Sequence, residues 1–406
     1  MKNKLKNNKG ITLVALVVTI VVLLILAGVS INLVVGQNGI INKAKDAKKN
    51  YTDAAKKEEK ELKDTDAWID EQLGGNIPSI TLPETAGSKP YLPTADFTKV
   101  EGTNLDNGLV IKDAKGNEYV WIEVPNDGTG PNYQGLTKKA EYDSQEYKKM
   151  EEAIKEYTAV YREIGFDDVY YTDTTTGWFV SETDYNNAKN KMLKSVYENG
   201  GFYIGRYEAG IGTNRTAAEE EASIEPMSKP NVYPYNYVTR TQAKVLAEKL
   251  STAEYTNTLM FGMQWDLVLK YLETKEIPGT PNYLTENSKG WGNYYDAEIK
   301  NINSSAKGSN DYGETYNFDL KQGKPINTDI LLTTGASEYT NKQNIYDLAG
   351  NEWEWTLEKA DLTFDPCAYR GGCYSDVGSD YPASYCNYFS TSFSRGYVGF
   401  RFSLYK

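Results

Sequence analysis

The sequence predicts an α+β protein carried behind a long amino-terminal helix. Three observations carry that reading. Ile11 to Val35 is an apolar run without a single charge. Downstream, short strand-like runs rich in Val, Ile, Tyr and Trp are separated by Gly- and Asn-rich turns. Between them lie amphipathic stretches with helical spacing.

Bulk properties narrow the function. A 406-residue chain that is 40% hydrophobic has material for a large core plus extra segments. Its net charge of −12 speaks against nucleic acid, which needs a basic face. With no histidine, the chain lacks the commonest general base and the commonest transition-metal ligand. The 33 tyrosines, with abundant Asn, Ser and Gly, suit exposed contact surfaces as well as cores.

Residues 1–10 form a basic leader, with Lys2, Lys4, Lys6 and Lys9 before Gly10. Residues 11–35 form the apolar run, 25 residues against the ~20 that cross a bilayer. The run is too long for the core of a secretory signal, and the lysines place the amino terminus in the cytoplasm and the rest outside. Residues 36–74 read as an exposed helical stalk, with sparse apolar positions such as Ala44, Ala47, Tyr51, Leu62 and Leu73. Residues 75–95, holding Pro78, Pro83, Pro90 and Pro93, form a semi-rigid linker. Residues 96–406 form the globular domain.

Within that domain, Gly108–Ile111 and Tyr119–Pro125 flank the turn Ala114-Lys115-Gly116-Asn117 as a hairpin. Lys138–Ile164 and Glu182–Tyr197 read as helices of an insertion at about 138–198. Gly201–Glu208 is a strand, and Thr239 caps a helix that runs to Ser251. A second helix follows Leu259 and ends near Thr274, and residues 276–340 are rich in loops.

Two resemblances rest on particular residues. Lys9-Gly10-Ile11-Thr12-Leu13-Val14 resembles a type IV prepilin signal, which implies cleavage between Gly10 and Ile11 and contact with other pilin subunits. Ala15 stands where that family usually has a glutamate that helps dock subunits. The second resemblance spans about residues 100–406. The pieces Trp121-Ile122-Glu123-Val124-Pro125, Asp347-Leu348-Ala349-Gly350-Asn351-Glu352-Trp353-Glu354-Trp355, Arg370-Gly371-Gly372 and Gly399-Phe400-Arg401 are similar to the formylglycine-generating-enzyme-like domain. That resemblance implies a C-type-lectin-like fold with irregular loops. It also implies a structural calcium ion held by the side chains of Asp347 and Glu354 and the carbonyls of Gly350 and Glu352, a set of hard oxygen donors.

The enzymes of that family use a close cysteine pair shortly after the Gly-Gly turn, and here only Cys373 follows closely, with Cys386 further on. Relatives with a His-based iron site have no counterpart here. Cys373 and Cys386 either form a disulfide or remain thiols. The reading is therefore a non-catalytic cell-surface or pilus-associated binding protein, its domain extracellular and its partner an extracellular protein or glycan, with a formylglycine-generating-type oxidase and a structural minor pilin without a ligand as the alternatives.

The candidate contact residues are Tyr374, Asp376, Asp380, Tyr381, Tyr385, Asn387, Tyr388, Ser392, Ser394, Arg395 and Tyr397. Tyrosine gives contact area at low entropic cost, and Ser and Asn adapt their hydrogen bonds. Their position resembles the variable region of retroelement-diversified proteins, which implies a reverse transcriptase and a near-copy of the segment in nearby DNA.

Overall fold

The computed structural model describes residues 82–218, 222–276, 278–310 and 323–406. The leader, the apolar run, the stalk and the pair Gly10 and Ile11 lie outside these residues, as does the linker up to residue 81. Among the described residues no helix is long and apolar enough to cross a membrane.

The domain is a mixed α and β structure. Along the chain run β1 (Thr98–Lys99), β2 (Val110–Lys112), β3 (Glu118–Glu123), α1 (Ser144–Tyr157), β4 (Phe166–Asp167), α2 (Glu182–Asn199), β5 (Gly201–Gly205), β6 (Gly210–Ile211), β7 (Tyr233–Pro234), α3 (Arg240–Glu248), β8 (Thr256–Leu259) and α4 (Gly262–Glu276). Then come α5 (Asn282–Thr285), β9 (Gly308–Ser309), β10 (Leu331–Leu332), β11 (Trp353–Ala360), β12 (Cys367–Arg370), β13 (Cys386–Phe389), β14 (Val398–Gly399) and β15 (Phe402–Tyr405).

Two main sheets organise these elements. The first has the order β1-β2-β3-β5-β15-β8, and the expected hairpin is its β2–β3 pair. Its central strands are buried on both faces, which is why β3 and β5 read as continuous apolar runs rather than alternating ones. The second has the order β13-β12-β11-β14, with β4 also pairing β11. Its β11–β14 pair is parallel and the rest are antiparallel.

The helices begin where side chains can satisfy their free N–H groups. Thr239 caps α3 and forms a capping box with Gln242, as its sequence indicates. Asp143 and Glu146 form another box at α1. The start of α4 has a cap from far along the chain. The Asp168 carboxylate accepts from the N–H groups of Gly262 (2.7 Å) and Met263 (2.8 Å).

The two helices expected at about residues 138–198 pack into the core. Met150 and Ile154 of α1, and Tyr185, Met192, Leu193 and Val196 of α2, are fully buried in the same apolar cluster as β3 and β5. Their polar residues mark the outer face alone, and a one-sided apolar stripe suffices to bury a helix.

The two sheets meet at Arg401, just before β15. Its guanidinium grips Glu354 of β11, with Nη2 2.7 Å from Oε1 and Nε 3.0 Å from the same oxygen. It also donates to the carbonyls of Gly205 (3.0 Å) and Tyr346 (2.8 Å). Both side chains of the pair are buried. Replacing Arg401 with Met would leave Glu354 charged and alone in the interior. The expected loss is ~3–5 kcal/mol of stability, read as a fall in the denaturant midpoint. A loss under ~1 kcal/mol would mean that the pair does not join the sheets.

Candidate functional site

Strand alternation divides the region around β11 into two unlike sides. Trp353 and Trp355 point to one side, and Glu354 points to the other. Further along β11, Glu358 faces Arg370, which pairs across from Glu354. There Arg370 holds Glu358 through Nε (3.0 Å) and Nη2 (2.8 Å) and lies 3.3 Å from Asp266.

The carboxyl side carries more acid than base. Glu208, Asp347, Glu352 and Glu354 are all buried and close enough to act on one another, set against the Arg401 guanidinium. Glu208 has partners, accepting from Asn351 Nδ2 (2.6 Å) and from the Glu352 N–H (3.1 Å). Asp347 accepts from the Gly335 N–H (2.6 Å) and Thr340 Oγ1 (2.7 Å). Glu352 is different, because neither of its carboxyl oxygens has a hydrogen-bond partner. The Asn236 amide lies near enough to offset part of the shift, but its well-formed hydrogen bond goes to the Gly396 carbonyl, at 2.9 Å. Gly399 leaves the space that Glu352 occupies, since a Cβ there would collide with Glu352 Oε2. Burial, reinforced by neighbouring carboxylates, pushes Glu208 and Glu352 well above the usual carboxylate range.

In the calcium shell implied by Asp347, Gly350, Glu352 and Glu354, both side-chain donors already have partners. Glu354 already has both oxygens on Arg401, and both oxygens of Asp347 already accept hydrogen bonds. Among the described residues no group of three or more Asp, Glu, Cys or His side chains is placed to hold a metal ion.

The tryptophan side is a layer of aromatic rings. Trp353 packs edge-on against Tyr369 (5.0 Å between centroids), Tyr381 (5.7 Å) and Tyr385 (6.2 Å). Tyr369 stacks on Phe393 at 6.1 Å, and Phe393 stacks on Phe389 at 3.8 Å and tilts toward Tyr397 at 6.2 Å. Arg395 lies over the Phe393 ring at 5.2 Å. Trp353, Trp355 and Tyr369 are buried, while Tyr381, Tyr385 and Tyr397 are half-buried and Phe389 is 43% exposed. Large rings thus rest on a buried aromatic base and show one face to solvent.

The expected contact residues divide accordingly. Tyr381, Tyr385, Arg395 and Tyr397 belong to this ring layer, and Asn387 shares its side because it pairs across from Tyr369. Tyr388, one residue on, points to the opposite side and lies 6.1 Å from Phe166. Asp380 and Ser392 are exposed. Tyr374 and Ser394 are buried and present no contact surface. Asp376 works within a turn, where its carboxylate accepts from the Cys373 N–H at 3.0 Å. Phe389 and Phe393, outside the expected set, complete the layer. Their period-two offset from Asn387 and the Trp-x-Trp spacing are the signals that point to them.

Cys367, Cys373 and Cys386 are free, buried thiols. Burial raises all three, and the Cys386 thiol donates to Glu358 Oε2 at 3.4 Å.

No family model matches the chain, and no curated protein matches it. Among solved structures it is similar to Treponema denticola variable protein 1, at 14% identity over 51% of this chain and 85% of that one, with a TM-score of 0.29. It is likewise similar to CarF, at 16% identity over 51% of this chain and 87% of that one, with a TM-score of 0.28. Likeness at these TM-scores supports no inference about fold or function.

Glu352 gives a pH-dependent test. Its folded-state value is raised, so its contribution to stability is fully present below the unfolded value and is lost as pH rises through the folded one. Glu352→Gln removes that ionisation, and the new amide can donate to Asn236 Oδ1, which has no partner. The variant should melt a few degrees (~2–4 °C) above the parent at pH 8, with the gap closing toward pH 5. A gap that widened toward pH 5 would contradict the burial of an uncompensated carboxyl group.

Proposed function

We propose that the chain is a binding protein displayed at the cell surface, holding its ligand against the ring layer built on Trp353, Tyr369 and Phe393. The observation that supports this reading is the layer itself. Half-exposed tyrosines and Phe389 stack on buried rings, so the contact surface is fixed in place before any ligand arrives. Rigid aromatic anchors lose little entropy on binding, and adaptable groups such as Asn387 and Arg395 lie among them. Under this reading the domain is a C-type-lectin-like scaffold, and its partner is an extracellular protein or glycan. Calcium is not needed to shape the surface, since hydrogen bonds and the Arg401 pair already hold the loop behind it.

The test uses the full-length chain on beads, presented to cultured cells and to a glycan array. Tyr381→Ala combined with Tyr385→Ala should lower capture about tenfold while the chain still folds and unfolds cooperatively by circular dichroism. Undiminished capture by the double variant would sink the reading.

The basic leader and the uncharged run from Ile11 to Val35 support anchoring by a prepilin-like helix, with cleavage after Gly10. Amino-terminal sequencing of protein extracted from membranes should then begin at Ile11. A sequence beginning at Met1 would leave an ordinary membrane anchor in its place.

A further inference from the structure

Tyr388 belongs to a second surface, separated from the ring layer by the sheet itself. It faces Phe166 of β4, and together with Ile164, Leu362 and Asp361 the two line a groove of about 320 Å³. Ile164 is 99% exposed and Leu362 and Tyr388 are each 41% exposed. Phe364, in the turn that leads from Leu362 into β12, is 87% exposed. Single exposed apolar residues are ordinary, but several gathered around one groove mark a place where something binds.

The charge around this groove says what kind of partner it suits. Glu163 precedes Ile164 and holds the Cys386 N–H, and Asp361 lines the groove. Lys359 is tied to Asp361, at 3.7 Å. Lys155 and Arg162 are held inward by Asp167, and Arg162 also by Asp266. The lining of the groove thus carries one acid, Asp361, and no base, with Glu163 adjoining it at Ile164.

The edge of β13 beside it is closed to strand addition. The N–H groups of Cys386 and Tyr388 are taken by Glu163 Oε2 (3.2 Å) and Asn387 Oδ1 (2.8 Å). A partner cannot extend the sheet here without breaking both bonds, so it must enter through a side chain.

We propose that this groove docks a basic polypeptide segment, which inserts one large apolar side chain among Ile164, Leu362 and Tyr388 while its flanking Lys or Arg residues face Glu163 and Asp361. The charge match selects the partner, and the apolar insertion holds it.

The experiment measures fluorescence polarisation of the full-length chain with a labelled peptide, Gly-Lys-Lys-Phe-Lys-Lys-Gly. One control carries serine for the phenylalanine and another carries glutamates for the lysines. Each control should bind at least about tenfold more weakly than the parent peptide. Leu362→Ser combined with Tyr388→Ser should weaken the parent peptide to the same degree, whereas Tyr381→Ala with Tyr385→Ala, on the other side of the sheet, should not change it. If the Leu362 and Tyr388 variant fails to fold by circular dichroism, Ile164→Ser takes its place, because that side chain lines the groove and is exposed. Equal binding of the serine control would reduce the effect to net charge and overturn the proposal. Self-association of the parent chain in sedimentation, lost in the variant, would give the groove to a second copy and overturn it as well.

Discussion

The buried pair of Arg401 and Glu354 is the constraint on which the rest of this domain depends. Charges taken out of water cost more than their mutual attraction returns unless their hydrogen-bonding capacity is also used. Here it is used. Arg401 reaches both oxygens of Glu354 and the carbonyls of Gly205 and Tyr346, so three separate segments are fixed to one planar group. Glu354 lies in the second sheet, while Gly205 and the segment after Arg401 belong to the first. The pair also fixes register, because a shift of β11 by one residue would turn Glu354 away from Arg401.

That single orientation decides what the other side of β11 shows. With Glu354 turned inward to Arg401, Trp353 and Trp355 must point the opposite way, toward Tyr369, Tyr381, Tyr385 and Phe393. The carboxyl cluster and the ring layer are two consequences of one alternating strand. The cluster carries an unpartnered Glu352 in the space that Gly399 leaves open. Such a group is a liability to stability and ties the fold to the pH at which it stays neutral.

Local patterns in the sequence reveal what local physics determines. The β2–β3 hairpin announces itself by its turn, α3 by Thr239 and Gln242, and β11 by Trp-Glu-Trp. Three features are invisible at that range. Arg401 and Glu354 stand 47 residues apart, and Asp168 caps a helix 94 residues downstream. Tyrosine composition does not separate Tyr374, which is buried, from Tyr381, which is half-exposed, because the ring suits either setting. A carboxylate-rich loop reads as a calcium site, and nothing near it in the sequence shows that Arg401 pairs with one of its carboxylates.

The segment from Tyr374 to Val398 is accordingly two interleaved sets of residues, not one uniform display. Tyr374 donates its N–H to the Asn351 carbonyl and lies in the core, the Trp353 N–H donates to the Tyr397 carbonyl, and the Arg395 carbonyl accepts from the Tyr237 N–H. These bonds hold the path of the chain largely through the backbone, whatever side chains the segment carries. Asp380, Ser392 and the side chain of Arg395 project from that path into solvent. A surface built this way tolerates substitution at its projecting positions without loss of fold, because the fixing bonds belong to the backbone and the supporting rings lie beneath. Substitution at Tyr374 or Gly399 falls on the frame instead, where a new side chain meets packed atoms. The division between what is held and what is shown therefore runs residue by residue through the segment, set by which way each side chain leaves a path that the buried frame has already fixed.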